Sequence, residues 1–319
     1  MKNIAVLTSG GDSPGMNAAI RAVVRSCIYY KVNVFGVQRG YQGLIDDDIS
    51  QMSVYSVADI IQKGGTVLRT ARCAAMFESA GVKKAAAALK KRNINSLVVI
   101  GGDGSYKGAK ALFAEGINVV GVPATIDNDI ALTEKTIGFD TAVNTVIEAI
   151  SKIRDTSLSH NRINIVQVMG RKCGNIALYA GIAGGAEAII VPEIKTDVEA
   201  ICKKTLAGKD RGKLHSIMVF AEGAGDMEKF SKEVASITGM EVKHTVLGYI
   251  QRGGSPSALD RIIASRMGAM AVKVLLEGKS NRAISLRGEN YIDDDMDNVL
   301  NTSLSFDIET YKTAMRLSI

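Results

Sequence analysis

The chain has 319 residues, a formal net charge of +6 at pH 7, 32 glycines and no tryptophan. This length suits two domains or one large one. The charge is modest for the length and no Lys/Arg block is interleaved with aromatic residues, which argues against nucleic-acid binding and favours small anionic ligands.

The first predicted strand, Ile4 to Thr8, leads into the turn Ser9-Gly10-Gly11-Asp12 and an Ala-rich helix. A glycine turn between a strand and a helix lets backbone N–H groups face a phosphate, so Gly11 is a candidate phosphate contact. Arg21 and Arg25 are four residues apart and share one helix face. A solvated charged face is the ordinary interpretation of such a pair.

The same turn contains an alternative from another enzyme class. Gly11 to Gly15 fits the G-x-S-x-G nucleophile elbow of serine hydrolases, with Ser13 as the nucleophile. That elbow needs the N–H of the residue after the serine, and Pro14 has none. The chemistry therefore disfavours the hydrolase.

A second glycine turn follows the apolar run Leu97 to Ile100, which predicts a buried strand. Gly101, Gly102 and Gly104 surround Asp103, and apolar spacing predicts a helix from near Ser105. Glycines let the backbone approach a phosphate, and the Asp103 carboxylate is a hard oxygen ligand suited to Mg²⁺.

An acidic turn follows the next predicted strand, Val119 to Val122. Thr125, Asp127 and Asp129 are crowded into it. Ligands in parallel α/β sheets bind at the carboxyl ends of strands, so the two loops should meet there. The glycine turn is suited to hold phosphate and metal, and the acidic turn offers a carboxylate that could accept a proton. Together the two loops indicate a phosphoryl-transfer site.

The remaining chain continues to alternate strands and helices. Arg72 lies in a predicted loop, a long helix follows Asp129, and Arg171 and Glu222 each follow a predicted strand. The tail from Arg282 is only weakly periodic, and no element is predicted there. No P-loop and no Rossmann G-x-G-x-x-G occurs. The three histidines are far apart, which gives no support for a His-based metal site.

Cysteine usage and hydropathy indicate the cellular compartment. Four scattered cysteines without a C-x-x-C pair predict free thiols in a cytosolic protein. The N-terminal apolar run is too short for a signal peptide, and nothing approaches transmembrane length. We therefore expect no membrane partner.

The combined motifs carry a family resemblance. TSGGDSPGMNAAIR, VVIGGDGS, TIDND, MGR, AEG and IQRGGSPSALDR occur in the order and spacing of the bacterial ATP-dependent 6-phosphofructokinases, which the chain resembles over nearly its whole length. The resemblance implies two Rossmann-like three-layer α/β domains with mostly parallel sheets and an active site in the cleft between them. It implies an ATP-binding domain of 1–138 plus about 251–301, and a sugar-phosphate-binding domain of 139–250 plus about 302–319.

The implied reaction is phosphorylation of fructose 6-phosphate at its 1-hydroxyl by ATP with Mg²⁺, a step of glycolysis in the cytoplasm. Asp127 would be the base, supported by Asp129, while Thr125, Arg171 and Gly11 would stabilise the transferring phosphoryl group. The implied ATP contacts are Gly11, Arg72, Cys73, Gly102, Asp103, Gly104 and Ser105, with Asp103 as the metal ligand. The implied sugar contacts are Thr125, Ile126, Asp127, Arg162, Met169, Gly170, Arg171, Glu222, Lys243, Tyr249, Gln251 and Arg252.

The resemblance also implies a homotetramer in which Arg162 and Lys243 reach into a neighbouring subunit's site. An effector site for ADP or phosphoenolpyruvate would use Arg21, Ala22, Val23, Val24, Arg25, Arg154, Gly185, Ala186, Glu187, Arg211, Lys213, Leu214 and His215.

Five positions are informative about donor, regulation and substrate. Pyrophosphate-using relatives carry Asp and Lys where this chain has Gly104 and Ala124, so ATP is the favoured donor over pyrophosphate. Val54 replaces an arginine of regulated members. Lys243 and Tyr249 replace an Arg and a His that bind the sugar 6-phosphate in the family. The replacements are expected to weaken fructose 6-phosphate binding. A preference for tagatose 6-phosphate or sedoheptulose 7-phosphate is the open alternative.

Overall fold

A computed structural model describes residues 2–318. The chain divides into two compact units. Unit 1 is the chain up to Thr141 together with Arg252–Leu304, and unit 2 is Ala142–Gln251 together with the chain from Ser305 on. No helix within residues 2–318 is long and apolar enough to cross a membrane.

Strands and helices alternate along most of the chain, as the sequence predicts. The strands are β1 (Asn3–Thr8), β2 (Asn33–Val37), β3 (Ile49–Gln51), β4 (Ser96–Gly101), β5 (Asn118–Pro123), β6 (Ile163–Val168), β7 (Ala188–Ile190), β8 (Ser216–Ala221), β9 (Val242–Val246), β10 (Arg282–Arg287) and β11 (Asn290–Asp295). The helices are α1 (Met16–Tyr29), α2 (Tyr41–Ile45), α3 (Ser79–Lys90), α4 (Asp103–Ala114), α5 (Phe139–Leu158), α6 (Asn175–Ala183), α7 (Val198–Asp210), α8 (Met227–Thr238), α9 (Ala258–Leu276), α10 (Met296–Asn301) and α11 (Ile308–Leu317).

Unit 1 is a three-layer α/β structure. Its seven-stranded sheet has the order β11-β10-β5-β4-β1-β2-β3. The five central strands are parallel, and only β3 and β11 at the edges run antiparallel. Helices α1 and α9 bury one face of the sheet, and α3 and α4 bury the other. Because both faces are covered, the central strands are continuous apolar runs rather than alternating ones.

The tail beyond Arg282 differs from the sequence expectation, because it forms the hairpin β10–β11 and then α10 and α11. β11 reads NYIDDD, and its acids pair across the hairpin, as Asp293 does with Arg282 at 2.9 Å. An edge strand can be polar because one of its sides has no neighbouring strand. The apolar period is therefore missing from a segment that is nevertheless a strand.

Unit 2 has a smaller sheet of four strands, all parallel, in the order β7-β8-β6-β9. Alternate apolar residues of β6 and β8 pack against α7 and α8, and α6 contacts β7 and β8. Both units thus have mostly parallel sheets with packed helices, which confirms the predicted α/β class.

Candidate active site

The glycine turns of unit 1 lie where the strand order of its sheet reverses. After β1 the chain moves to β2 on one side, whereas β4 pairs with β1 on the other. The Ser9 N–H donates to the Ile100 carbonyl at 3.0 Å and ties the two strand ends together. Such a reversal opens a crevice at the carboxyl ends of the strands, where ligands bind in open α/β sheets.

The turn after β4 has no room for a side chain at its first glycine. A Cβ at Gly101 would collide with the Ser105 hydroxyl and the Ser9 carbonyl. A Cβ at Gly104, by contrast, would have no described atom within 4 Å apart from its two chain neighbours and the nearby backbone of its own helix. Ser105 is buried, its carbonyl accepts from Tyr41 Oη at 2.5 Å, and its Oγ has no hydrogen-bond partner among the described residues. Close packing at Gly101 and the hydrogen bond to Ser105 therefore fix the buried side of the turn, while its outer surface at Gly104 stays open.

Asp103 occupies the first turn of α4, two residues before the predicted helix start. The helix begins there because the Gly102 carbonyl accepts from the N–H groups of Ser105 and Tyr106. The Asp103 side chain is 47% exposed and lies 2.6 Å from Lys107 Nζ, one turn further on. An exposed carboxylate beside a glycine turn suits Mg²⁺, which usually takes one or two carboxylates and completes its shell with phosphates and water.

Within residues 2–318, no group of three or more His, Cys, Asp or Glu side chains is placed to hold a metal ion by itself. Asp103 fits a metal that arrives with its nucleotide phosphates rather than one held in a protein cage.

The acidic turn follows β5, which pairs in parallel with β4 so that Gly101 lies opposite Pro123. The Ala124 N–H donates to the Gly101 carbonyl at 3.1 Å and joins the two loops directly. Thr125 Oγ1 accepts from the Asp127 N–H at 3.2 Å, which leaves its hydroxyl hydrogen for another acceptor. The prediction that both loops sit at neighbouring strand ends is confirmed.

Arg252 reaches the first glycine turn from a distant part of the sequence. A Cβ at Gly11 would collide with the Arg252 guanidinium. Nearby, Thr70 Oγ1 donates to the Gly10 carbonyl at 2.6 Å and fixes the loop that leads to Arg72. Arg72 is exposed, whereas Cys73 packs partly against the core under α3.

In unit 2, the predicted sugar contacts Met169, Gly170, Arg171 and Glu222 follow the ends of β6 and β8. The Gly223 N–H donates to the Gly170 carbonyl at 3.2 Å, which joins the two strand ends, and the Arg171 and Glu222 side chains are exposed.

Two of the predicted sugar contacts, Gln251 and Ile126, have buried side chains. Gln251 is fully buried, and its amide is used internally, by accepting from the Met169 N–H and donating to the Gly248 carbonyl. Ile126 is 3% exposed and contributes to the interior. Sequence alone marks both because they lie inside motifs, where structural and ligand-binding residues are interleaved.

Arg162 and Lys243 lie at the other end of unit 2's sheet. Arg162 immediately precedes β6, and Lys243 lies in β9 opposite Asn164. Lys243 Nζ is 2.9 Å from Glu241 Oε1, and both side chains are about half exposed. Tyr249 is 80% exposed. The Lys243 ammonium is therefore already paired with the Glu241 carboxylate.

The predicted effector residues of unit 2 form a charged cluster. The buried Glu187 carboxylate pairs with Lys213 at 2.6 Å, and Arg154 lies 3.4 Å from His215 Nε2 and donates to the Gly185 carbonyl at 3.0 Å. Burial lowers the pKa of His215 below its usual 6.5. Around this cluster, Arg211 and Leu214 are exposed and Ala186 is buried.

The predicted effector residues of unit 1 lie on α1. Arg21 is partly buried and Arg25 is exposed; burial and then the Arg25 charge lower the pKa of Arg21. Val23 and Val24 are fully buried in the core and Ala22 is 9% exposed, so their side chains belong to the interior, and their place in the effector site stays a prediction. The helical period places only every third or fourth residue on the exposed face.

Ser13 is not available as a nucleophile. It is fully buried, and its hydroxyl donates to the Ile137 carbonyl at 3.0 Å. The hydrolase alternative is therefore wrong. The sequence analysis also missed Asn128, which lies between the two acids of the turn after β5 and has a positive φ of 51°. Asparagine adopts this backbone conformation more readily than other non-glycine residues, which is the signal that could have marked it.

Parallel α/β units with glycine turns at a strand-order reversal form a class that binds nucleotides and phosphorylated small molecules. The phosphofructokinase family model matches residues 3–275, and the chain belongs to that family. It is 58% identical to the ATP-dependent 6-phosphofructokinase of Alkaliphilus metalliredigens and 56% identical to that of Clostridium novyi, with full coverage of both chains in each case. The phosphofructokinase of Saccharomyces cerevisiae superposes with a TM-score of 0.91 at 33% identity, covering 100% of this chain and 48% of the yeast chain. This chain thus spans about half the length of the yeast chain, and the predicted family membership is confirmed.

Proposed function

We propose that this protein transfers the γ-phosphoryl group of ATP to the 1-hydroxyl of fructose 6-phosphate, giving fructose 1,6-bisphosphate and ADP in glycolysis. The observation that carries the proposal is the joined pair of loops after β4 and β5, with the exposed Asp103 carboxylate on one and Thr125 and Asp127 on the other. Full-length relatives at 56–58% identity that are named ATP-dependent 6-phosphofructokinase support the choice of donor and acceptor.

The residue roles follow from this arrangement and from the family resemblance. Asp127 takes the proton from the sugar hydroxyl, and Asp129 supports it. Thr125 donates its hydroxyl hydrogen to the transferring phosphoryl group, with Arg171 and the Gly11 N–H as further donors. Asp103 would hold Mg²⁺ together with the nucleotide phosphates, and the metal would neutralise part of the phosphate charge.

The site favours ATP over pyrophosphate at one position. Gly104 leaves open space at the outer surface of the turn, where a side chain would approach the nucleotide. An acid there would add both bulk and like charge next to the phosphates. The remaining ATP contacts are assigned to Arg72, Cys73, Gly102 and Ser105.

Unit 2 supports sugar sites that are shared between subunits. β6 separates Arg162 at its start from Met169 at its end, and its six residues span roughly 20 Å. One sugar phosphate cannot contact both ends within one chain, so Arg162 and Lys243 serve the site of a second copy. β9 is also an edge strand with four of its five residues exposed, as a surface covered by a partner would be. We propose the homotetramer on these grounds.

We assign regulation by ADP or phosphoenolpyruvate to the α1 arginines and to the Glu187 cluster of unit 2. Both present cations suited to phosphates, namely Arg21, Arg25, Arg154 and Lys213. Four free thiols support a cytoplasmic location.

The test is a coupled assay that scans ATP, GTP and pyrophosphate against fructose 6-phosphate, tagatose 6-phosphate and sedoheptulose 7-phosphate. We expect the highest kcat/KM for ATP with fructose 6-phosphate, and loss of activity on chelation that Mg²⁺ restores. Preference for pyrophosphate would overturn the donor assignment, and preference for another sugar would show that Lys243 and Tyr249 mark a retuned site.

A further inference from the structure

Asn128 holds the acidic turn through its side chain. Its Oδ1 accepts from the Thr136 N–H at 2.8 Å, and its Nδ2 donates to the Glu134 carbonyl at 3.0 Å. Both partners are backbone groups of the returning segment, so one carboxamide bridges the two sides of the loop.

A second connection joins the same segments. Thr136 Oγ1 donates to the Thr125 carbonyl at 2.7 Å, and the Thr125 N–H donates to the Ile137 carbonyl at 3.1 Å. Thr136 is 1% exposed, and both of its hydrogen bonds to the turn are partly buried. The buried Thr136 thus holds both Thr125 at the start of the turn and Asn128 in its middle.

The returning segment is itself fixed to the sheet. The Glu134 N–H donates to the Leu286 carbonyl of β10 at 2.9 Å, and Glu134 Oε2 accepts from the Gly288 N–H at 3.0 Å. Asn128 therefore links the turn to a segment that is itself hydrogen-bonded to the end of β10. Its φ of 51° places the backbone in the left-handed region, which reverses the chain between the two flanking acids.

We propose that Asn128 is a positioning residue, which holds Asp127 and Asp129 in their productive geometry through Glu134 and Thr136. The inference rests on the proposed phosphoryl transfer. Displacing a reacting group by about 1 Å can lower the reaction rate about 100-fold. The hydrogen bonds of Asn128 should therefore act on kcat rather than on substrate binding.

Asn128→Gly is the informative variant, because glycine accepts the positive φ at no steric cost and removes the side-chain hydrogen bonds to Glu134 and Thr136. We expect kcat to fall roughly 10- to 100-fold with little change in the KM for ATP or fructose 6-phosphate. Asn93→Gly is the matched control. Asn93 has a similar φ of 55°, is exposed, and lies in the turn between α3 and β4 at the opposite end of the strands, so its variant should keep the wild-type kcat.

Thr136 provides an independent second test. Thr136→Ser keeps the hydroxyl that donates to the Thr125 carbonyl and should retain the activity, whereas Thr136→Val removes it and should lower kcat in the same way as Asn128→Gly. Thermal unfolding of every variant, with kcat measured well below all the midpoints and expressed per folded chain, separates positioning from loss of folded protein.

The outcomes separate two failures. A wild-type protein without kinase activity towards fructose 6-phosphate would overturn the proposed function, and the inference with it. An active wild type with an Asn128→Gly variant of unchanged kcat would overturn the inference alone, whether or not the unfolding midpoint falls. A selective rise in KM at unchanged kcat would also overturn it.

Discussion

We expect this protein to bind the 6-phosphate of its sugar substrate weakly. Lys243 shares its charge with Glu241 at 2.9 Å and lacks the planar fork with which arginine binds two phosphate oxygens at once. Tyr249 is 80% exposed and offers one neutral hydroxyl. Replacing both, as in Lys243→Arg with Tyr249→His, should therefore lower the KM for fructose 6-phosphate.

The size of this effect follows from the hydrogen bonds gained. One hydrogen bond to a charged group contributes about 1.5–3 kcal/mol, and about 1.4 kcal/mol corresponds to a factor of ten, so the KM should fall about tenfold or more. Because the 6-phosphate is remote from the transferring group, kcat should stay the same. Steady-state kinetics at saturating ATP, with fructose 6-phosphate varied, measures both quantities.

Glu241→Gln tests the role of the ion pair separately. It frees the Lys243 ammonium and should lower the KM by roughly twofold to fivefold, the range for one exposed pair. Glu148→Gln is the control, because it breaks a similar exposed pair, with Lys152 at 2.6 Å, on the helix α5. An unchanged KM in both Glu241→Gln and the double variant, or a change that falls on kcat, would refute this reasoning.

Three further perturbations follow from the structure. Gly104→Asp should fold normally, since beyond its chain neighbours and the backbone of its own helix no described atom lies within 4 Å of the new Cβ. It should raise the KM for ATP about tenfold, because like charges about 4 Å apart repel by about 1–4 kcal/mol; an unchanged KM for ATP would contradict the donor assignment. Val54, 42% exposed, leaves the effector site without a family arginine, so Val54→Arg should strengthen activation by ADP or inhibition by phosphoenolpyruvate in rate assays; strong activation of the wild type at micromolar ADP would argue against this. Burial raises the pKa of Asp260 above its usual 3.8, so the folded state keeps a proton that the unfolded chain has lost. The free energy of unfolding in urea should therefore fall as the pH rises from 3.8 through the folded-state pKa, and Asp260→Asn should flatten this dependence; an Asp260-dependent contribution that grows with pH would contradict it.

The sequence predicts the loops of unit 1 well because their signals are local. The apolar runs of β4 and β5 are buried on both faces and directly precede glycine or acidic turns, so the strand ends and their chemistry can be predicted together. The helix after β4 begins only two residues before its predicted start. Strand order is not a local property, and the reversal beside β1 that opens the crevice appears only in the structure.

Residues inside motifs are harder to assign, because ligand contacts and internal supports alternate within a few positions. Gln251 lies in a motif and Val23 lies between the two predicted effector arginines, yet both are fully buried. Asn128 acquires its importance from partners six and eight residues away. The hairpin β10–β11 was missed because cross-strand ion pairs replace apolar periodicity there. In each case a tertiary contact, rather than a local propensity, decides the role.

Asp127→Ser tests the proposed chemistry most directly. If Asp127 is the base that accepts the proton of the sugar hydroxyl, kcat should fall roughly 10²- to 10⁴-fold while the affinities for ATP and fructose 6-phosphate are retained. The measurement is kcat and KM from the coupled assay, with substrate binding determined separately by calorimetry. Loss of sugar affinity with kcat intact would contradict the assignment and would show that Asp127 only positions the substrate.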